Sequence, residues 1–170
     1  MEDFKSYENA EKMFAENDCV GLENCIFIAR KDTNQQGMQA GLSSTLGLAG
    51  AAAAGMIGKN DALQNLYYDG LLINQTEKGL GFIPLCNKGI VLTFNLDKME
   101  AKANNFFFIG FENIEKITIK NYSVLNHKLK TLRLFLKDGG KIQVSVSVAE
   151  KAVSYHEGNF ARFLERYMDK

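Results

Sequence analysis

The stretch Thr131–Val146, with the sequence TLRLFLKDGGKIQVSV, decides the fold of this chain. In its first half every second residue is a leucine, and in its second half the same spacing holds Ile142, Val144 and Val146. Side chains of a strand alternate between its two faces, so this period of two predicts two strands with one buried face each. Between them, Asp138–Gly140 supplies the positive φ angles of a tight turn. The stretch is therefore predicted to be an antiparallel hairpin.

Outward from this hairpin, short segments of the same kind occupy most of the chain between residues 68 and 148. They are rich in β-branched and aromatic residues and are separated by turn-forming residues. No helical pattern alternates with them, which argues against a parallel sheet. The predicted strands, including those of the hairpin, are Cys25–Lys31, Tyr68–Gln75, Gly81–Leu85, Ile90–Phe94, Asn105–Ile109, Ile114–Asn121, Leu129–Lys137 and Lys141–Val148.

Amphipathic helices are predicted at both ends of the chain. The N-terminal one runs from Asp3 to about Asn17, with an apolar stripe that covers another element. The C-terminal one follows Gly158 and has Asn159 as its expected N-cap. Its apolar residues at helical spacing are Phe160, Phe163, Leu164 and Tyr167. Strands followed by one packed helix predict an α+β fold with an antiparallel sheet.

The segment Asn34–Gly58 contains no charged residue, and Gly and Ala supply more than half of Gly37–Gly58. It is long enough to cross a bilayer as a helix, but it has few bulky apolar residues. Small side chains let helices approach closely, in membranes or in assemblies. Three alternatives stay open: a helix packed on its own domain or on a partner, a flexible loop, and membrane insertion. The residues expected to carry an interaction of this segment are Leu42, Leu46, Leu48, Met56 and Ile57.

Three consecutive phenylalanines, Phe106–Phe108, are a second source of excess apolar surface. Successive side chains of a strand point to opposite faces, so the three cannot all be buried on one side. We expect Phe107 to meet solvent, the N-terminal helix, the Gly/Ala-rich segment or another chain. It is therefore a candidate interaction residue.

Composition excludes several classes of protein. Lys plus Arg and Asp plus Glu each number 20 in 170 residues, and this balance does not indicate a nucleic-acid partner. Cys19, Cys25 and Cys86 form no closely spaced pair, which is typical of reduced thiols in a cytosol. The first residues lack the basic and apolar regions of a secretory signal. We therefore expect a cytoplasmic protein without disulfides.

The motifs that carry enzyme chemistry are incomplete. Gly58 and Lys59 lack both the upstream glycine and the following Ser or Thr of a phosphate-binding loop. His156 and Glu157 are not followed by a second histidine at zinc-helix spacing, and we expect this pair on a helix surface. Cys86 lies in an apolar strand and is expected in the core. We find no nucleophile paired with a base, and we expect no enzymatic activity, no metal and no cofactor.

The order of elements resembles the pleckstrin-homology (PH) superfold, in particular the bacterial PH and GRAM-like domains. FIPLCNKGIVLTF (Phe82–Phe94) resembles the family's strand, Asn-Lys turn and second strand, and FFFIGFENIEKITIK (Phe106–Lys120) resembles a later strand, turn and strand. TLRLFLKDGGKIQVSV is similar to its late hairpin, and NFARFLERY (Asn159–Tyr167) to its capping helix. The resemblance implies a PH-like antiparallel β-barrel or sandwich of about seven strands, capped by the C-terminal helix.

The same resemblance implies a domain organisation and a class of function. Residues 1–24 would form an N-terminal helix and lead-in, and residues 25–170 a PH/GRAM-like domain with a Gly/Ala-rich insertion at 34–67. Family members are usually non-catalytic and bind phosphoinositides, other acidic lipids or proteins. In lipid-binding members basic residues commonly flank the first strand pair, whereas here the uncharged insertion occupies that connection.

A local excess of basic residues lies between Lys116 and Lys141, where Asp138 is the only acid. Such a surface can attract anionic lipid headgroups. The alternative is a solvated outer sheet face whose lysines protect strand edges. The candidate anion- or lipid-binding residues are Lys116, Lys120, His127, Lys128, Lys130 and Arg133.

Two functional hypotheses follow. The first is a non-enzymatic binding or assembly module that docks on an unknown protein partner, or on a second copy, through the Gly/Ala-rich insertion. The alternative is a peripheral membrane module at the inner face of the membrane, where the Lys116–Lys141 surface binds anionic phospholipid.

Overall fold

A computed structural model describes residues 3–32, 63, 66–89 and 93–168 of the chain. Within these ranges the protein is an α+β fold with two α-helices and an antiparallel sheet of eight strands. The expectations for Leu42, Leu46, Leu48, Met56 and Ile57 fall outside the described residues.

The strands agree closely with the sequence pattern. The helices are α1 (Tyr7–Ala15) and α2 (His156–Tyr167). The strands are β1 (Cys25–Lys31), β2 (Gly70–Gln75), β3 (Gly79–Asn87), β4 (Met99–Ala101), β5 (Phe107–Gly110), β6 (Ile114–Asn121), β7 (Leu129–Leu136) and β8 (Lys141–Ser147).

The predicted hairpin is confirmed as β7 and β8. Leu134 pairs with Ile142 in an antiparallel register, and the turn between the strands contains Gly139 at φ 89°. The carboxylate of Asp138 accepts a hydrogen bond from the backbone N–H of Gly140 at 2.8 Å. A side chain at the glycine's positive φ would be strained, so the Asp-Gly-Gly sequence fits this turn.

The sheet follows the order β4-β3-β2-β1-β8-β7-β6, and β5 pairs with β3 beside β4. All these pairings are antiparallel. Among the described residues no pairing joins β6 to β4 or β5, so the sheet is not closed, which corrects the barrel alternative of the expected barrel or sandwich. The chain connects β5 to β6 through a short 3-10 turn at Phe111–Asn113 instead.

The inner faces of the two halves of the sheet share one hydrophobic core. Phe27 of β1 and Leu80 of β3 belong to the same buried cluster as Leu132 of β7. Helix α2 contributes Phe160 and Phe163, both fully buried, with ring centroids 5.2 Å and 4.7 Å from that of Phe27. The prediction that the helical stripe at the C terminus packs on the sheet is confirmed.

Helix α1 covers the outer face of β1–β3. Ser6 caps the helix, because its Oγ accepts a hydrogen bond from the N–H of Asn9. Met13 and Phe14 lie in a second buried cluster with Ile28 of β1 and with residues of β2 and β3. The alternating side chains of β1 therefore enter two different cores, which explains why this strand is apolar at nearly every position.

Strand β1 pairs with β8 at Arg30 and Lys31. Nearer the start of β1, side chains of helix α2 form hydrogen bonds with the backbone of the strand. The backbone N–H of Ile28 donates to His156 Nδ1 at 3.0 Å, so Nε2 carries the proton and donates to the carbonyl of Ser147 at 2.7 Å. One turn later, Asn159 Nδ2 donates to the carbonyl of Ile26 at 2.9 Å. Two predictions were wrong here: His156 is fully buried, and Asn159 lies inside the helix, whose N-cap is Tyr155.

Two predictions about the middle of the chain are also corrected. Residues 93–95 are not in a strand, and the rest of the predicted strand at Ile90–Phe94 lies outside the described residues. Phe107 pairs with Phe82, stacks on it at 4.7 Å and packs against the main core. The outward-facing member of the three phenylalanines is Phe108, which is 44% exposed.

The described helices are all too short or too polar to cross a membrane.

Candidate functional site

The outer face of β6 and β7 carries a cluster of cationic side chains. Ile117 and Ile119 of β6 point to the main core, so Lys116, Thr118 and Lys120 between them point outward. They line an open concavity of about 520 Å³. Its lining residues are Glu115, Lys116, Thr118, Lys120, Arg133 and Phe135.

The register of the two strands brings three cations together. Thr118 of β6 is paired with Arg133 of β7, so Lys116 and Lys120 are the two diagonal neighbours of Arg133. Diagonal partners on one face are about 7–8 Å apart, within the reach of long side chains. We call Lys116, Lys120 and Arg133 the basic face. Glu115 is the one carboxylate in the lining, which leaves an excess of positive charge.

A hydrogen-bond chain positions Arg133 on this face. Its Nε donates to Gln143 Oε1 at 2.8 Å, and Gln143 Nε2 donates to the buried carboxylate of Asp32 at 2.6 Å. The guanidinium is thereby held through Nε. A planar guanidinium can offer two parallel N–H donors to a phosphate or carboxylate, which makes arginine well suited to anions.

Several cations elsewhere in the described chain have an ion-pair partner. Lys5 pairs with Asp97, Arg30 with Glu150 and Arg166 with Glu23. Lys102 likewise contacts Glu100. No ion pair involves a member of the basic face within the described ranges. Their charges are not neutralised by direct contacts there, so they can attract an external anion.

The other predicted anion-binding residues are divided between two places. His127 and Lys128 are exposed in the connection between β6 and β7, where His127 Nδ1 lies 3.0 Å from Asn121 Nδ2. Lys130 was wrongly placed with them. It is 8% exposed, and its Nζ donates to Asn121 Oδ1 at 2.6 Å.

The sequence itself contains the signal that distinguishes Lys130 from Arg133. Lys130 is separated from Leu132 and Leu134 by even numbers of residues, so the period of two places it on their face, toward the core. Arg133 has odd spacing and faces outward. The same period therefore separates a lysine inside the fold from a cation on the surface.

Sequence reasoning missed two apolar side chains at the end of the β6–β7 hairpin. Val124 is 87% and Leu125 is 94% exposed. The signal was present, because tight connections between strands usually contain Gly, Asn, Asp, Ser or Pro rather than two adjacent aliphatic residues.

The buried thiols are poor candidates for catalysis. Burial raises the pKa of Cys19 to about 11 and also raises the pKa of Cys25 and of Cys86. The neutral thiol, which is a weak nucleophile, is therefore favoured at all three positions. The described residues contain no cluster of three or more His, Cys, Asp or Glu side chains suited to a metal ion.

Comparisons with known proteins do not assign a family. A scan against protein-family models, a search of curated proteins and a search of solved structures each found no significant match to this chain.

Proposed function

We propose that this protein is a non-enzymatic PH/GRAM-like binding module whose basic face binds the anionic surface of a phospholipid membrane. The observation that carries the proposal is the grouping of Lys116, Lys120 and Arg133 around one open concavity. In this proposal the chain is cytoplasmic and peripheral at the inner face of the membrane.

The fold supports the PH/GRAM-like part of the proposal at the level of architecture. The strands form one antiparallel sheet whose two halves share a core, and the C-terminal helix inserts Phe160 and Phe163 into that core. These are features that the resemblance implies. The unclosed sheet and the additional helix α1 are features beyond it.

The expected strength of binding is modest and depends on salt. A lysine or arginine near an anionic leaflet contributes about 1 kcal/mol, so three residues contribute about 3 kcal/mol. This corresponds to a factor of roughly 10² in partitioning. The attraction decays over a Debye length of about 8 Å at physiological ionic strength, so added salt will weaken it strongly.

Co-sedimentation with vesicles tests the proposal. The full chain is mixed with vesicles of phosphatidylcholine alone or with phosphatidylserine added, at low and high salt. We expect retention on the anionic vesicles at low salt, release at high salt and little retention on the neutral vesicles. The double variant Lys116→Glu/Lys120→Glu should lose at least tenfold in apparent affinity.

A matched control separates position from total charge. Lys88 and Lys98 are exposed near the β3–β4 connection, at the opposite end of the strand order. The variant Lys88→Glu/Lys98→Glu changes the net charge equally and should retain most of the binding. Equal losses in the two variants, or no salt dependence in the parent chain, would contradict the proposal.

The assembly hypothesis is the second candidate. Its support is the uncharged Asn34–Gly58 sequence, which follows the buried Asp32 and precedes the buried Leu63. We propose that this segment docks on a protein partner or a second copy. Light scattering should then detect a dimer that dissociates when residues 37–58 are shortened, and a monomer at all concentrations would count against self-association.

A further inference from the structure

The connection between β6 and β7 presents two aliphatic side chains to solvent. Val124 and Leu125 are adjacent, and they are 87% and 94% exposed. We call residues Ser123–Asn126 the hairpin tip. Burying such side chains in an apolar environment is favourable, so their exposure to water is unfavourable. Contact with an external apolar surface would remove this unfavourable exposure.

The hairpin tip is held in shape by its own polar residues. The N–H of Asn126 donates to the carbonyl of Ser123 at 3.3 Å and to its Oγ at 3.1 Å. The side-chain oxygen of Asn126 in turn accepts from the N–H groups of Lys128 and Leu129, both at 3.2 Å. Below the tip, the N–H of Tyr122 donates to the carbonyl of Leu129. The two aliphatic side chains therefore project from an ordered bend.

Positive charge surrounds the tip. Lys120 precedes it at the end of β6, and Lys128 follows it. The sequence from Lys116 to Lys137 contains no Asp or Glu. The tip and the basic face are also close along the chain, because only residues 121–123 separate Lys120 from Val124, and even a fully extended chain of this length spans at most about 14 Å.

We infer that the hairpin tip inserts Val124 and Leu125 into the boundary between headgroups and acyl chains while the adjacent cations contact anionic headgroups. This inference rests on the proposed function and names the second half of its membrane contact. Aliphatic side chains beside cations match the two layers of an anionic leaflet, an apolar interior beneath a negative surface.

A membrane suits the tip better than a protein partner does. A stable protein interface buries about 800 Å² on each partner, far more than two aliphatic side chains supply. A bilayer sets no such requirement, because each inserted side chain gains the transfer free energy independently and the cations add to it. The geometry therefore favours the lipid surface as the occupant.

Tryptophan fluorescence tests insertion directly. The chain contains no tryptophan, so Leu125→Trp creates a single probe at the tip. On addition of vesicles containing phosphatidylserine, we expect a blue shift of its emission and quenching by lipids brominated in the acyl chain. The matched control is Leu22→Trp, at a position 98% exposed and next to Glu23, where the emission should not shift.

A second pair of variants measures what the tip contributes to binding. Val124→Ser/Leu125→Ser removes apolar surface without changing charge, and we expect about a tenfold loss of affinity for anionic vesicles. Val20→Ser/Leu22→Ser alters another exposed aliphatic pair and should bind as the parent chain does. Both pairs are at the surface, and circular dichroism confirms that the variants fold.

The outcomes distinguish the inference from the proposed function. Salt-sensitive binding without a blue shift at position 125, and without a loss in the Val124→Ser/Leu125→Ser variant, overturns the inference and leaves the basic face in place. A blue shift that persists in Lys116→Glu/Lys120→Glu, with undiminished affinity, upholds the tip and overturns the basic face. No binding to anionic vesicles overturns both. A lipid-independent dimer that the serine variant dissociates would assign the tip to a second copy instead, and so would also overturn the inference.

Discussion

The outer faces of the two halves of the sheet differ in how far they are covered. On β1–β3 the outer face is covered by α1, and all six residues of β2 and eight of the nine in β3 are buried. On β6 the outer face is open to solvent, and only Thr118 and Ile119 of its eight residues are buried, whereas the outward-facing Thr131 of β7 and Ser145 of β8 are buried. The inner faces of both halves nevertheless share one core.

This difference separates what stabilises the fold from what is available for binding. A sheet covered on both sides must be apolar at successive positions, so packing alone determines which types of residue its strands contain. An open face must only be polar, and mixed charges would satisfy solvation. The open face here has three cations without an ion-pair partner among the described residues, beside one carboxylate. This excess is therefore the feature on which the proposed anion-binding function depends.

The largest effect that the comparison predicts is a loss of stability on the covered side. Phe14 of α1 is fully buried, with an edge-to-face contact to Phe106 at 6.3 Å. We expect Phe14→Ala to lower the free energy of unfolding by about 3–5 kcal/mol, because it leaves a cavity between helix and sheet. Phe135→Ala, on the open face, should cost only about 1 kcal/mol. Urea denaturation measures both, and similar losses would show that the two faces are not energetically distinct.

A somewhat smaller loss is expected where α2 joins the two halves. His156→Ala removes a side chain that accepts from the N–H of Ile28 and donates to the carbonyl of Ser147. Leaving these buried groups without partners should lower the free energy of unfolding by about 2–4 kcal/mol. His127→Ala, in the exposed connection, is the matched control and should change it by less than about 0.5 kcal/mol. If both variants unfold at the same urea concentration as the parent chain, the hydrogen bonds of His156 to Ile28 and Ser147 do not stabilise the fold.

The same comparison explains how much of the fold was predictable. The open half alternates between apolar and polar residues, so β6, β7 and β8 could be predicted within one residue at each end. The covered half lacks this alternation, and β3 proved longer than its prediction at both ends. Strand β4, with three residues, is too short to produce a pattern.

The candidate site was predictable in part for the same reason. The outward positions of Lys116, Lys120 and Arg133 follow from the strand period, whereas the local charge excess does not distinguish Lys130, which the same period places on the core side. The role of His156 depends on a contact with β1 that lies 128 residues away in the chain. No local pattern encodes that contact. Phe107 and Phe108 depend on how β5 pairs with β3, which is also a non-local property.

The burial of His156 also predicts that the free energy of unfolding depends on pH, with a smaller effect than that of His156→Ala. Burial is the main cause that lowers the pKa of His156, with Arg30 acting in the same direction and Glu150, Glu157 and the Ser147 carbonyl opposing it. The unfolded chain therefore takes up a proton at about pH 6.5, whereas the folded chain does so only at lower pH. The stability that neutral His156 contributes to the folded chain is therefore fully present above pH 6.5, and it is lost as the pH falls toward the lowered pKa.

This loss should amount to about 1 kcal/mol over the first pH unit below 6.5, since one proton gives at most about 1.4 kcal/mol per unit. The measurement is the free energy of unfolding of the parent chain and of His156→Ala between pH 7.5 and 5.5. The difference between the two profiles isolates this histidine from carboxylates that titrate in the same range. A constant difference would mean that His156 does not titrate differently on folding.

The smallest effect is expected from the residues to which we assign binding. Lys116 and Lys120 have no ion-pair partner among the described residues, so removing their charge breaks no stabilising contact there. Lys116→Gln/Lys120→Gln should change the free energy of unfolding by less than about 0.5 kcal/mol, and relief of repulsion can make the change favourable. Urea denaturation at low salt, where charge effects are largest, is the appropriate measurement. A loss of 2 kcal/mol or more would show that these lysines stabilise the sheet, and the one-sided charge of the open face would then need no ligand to explain it.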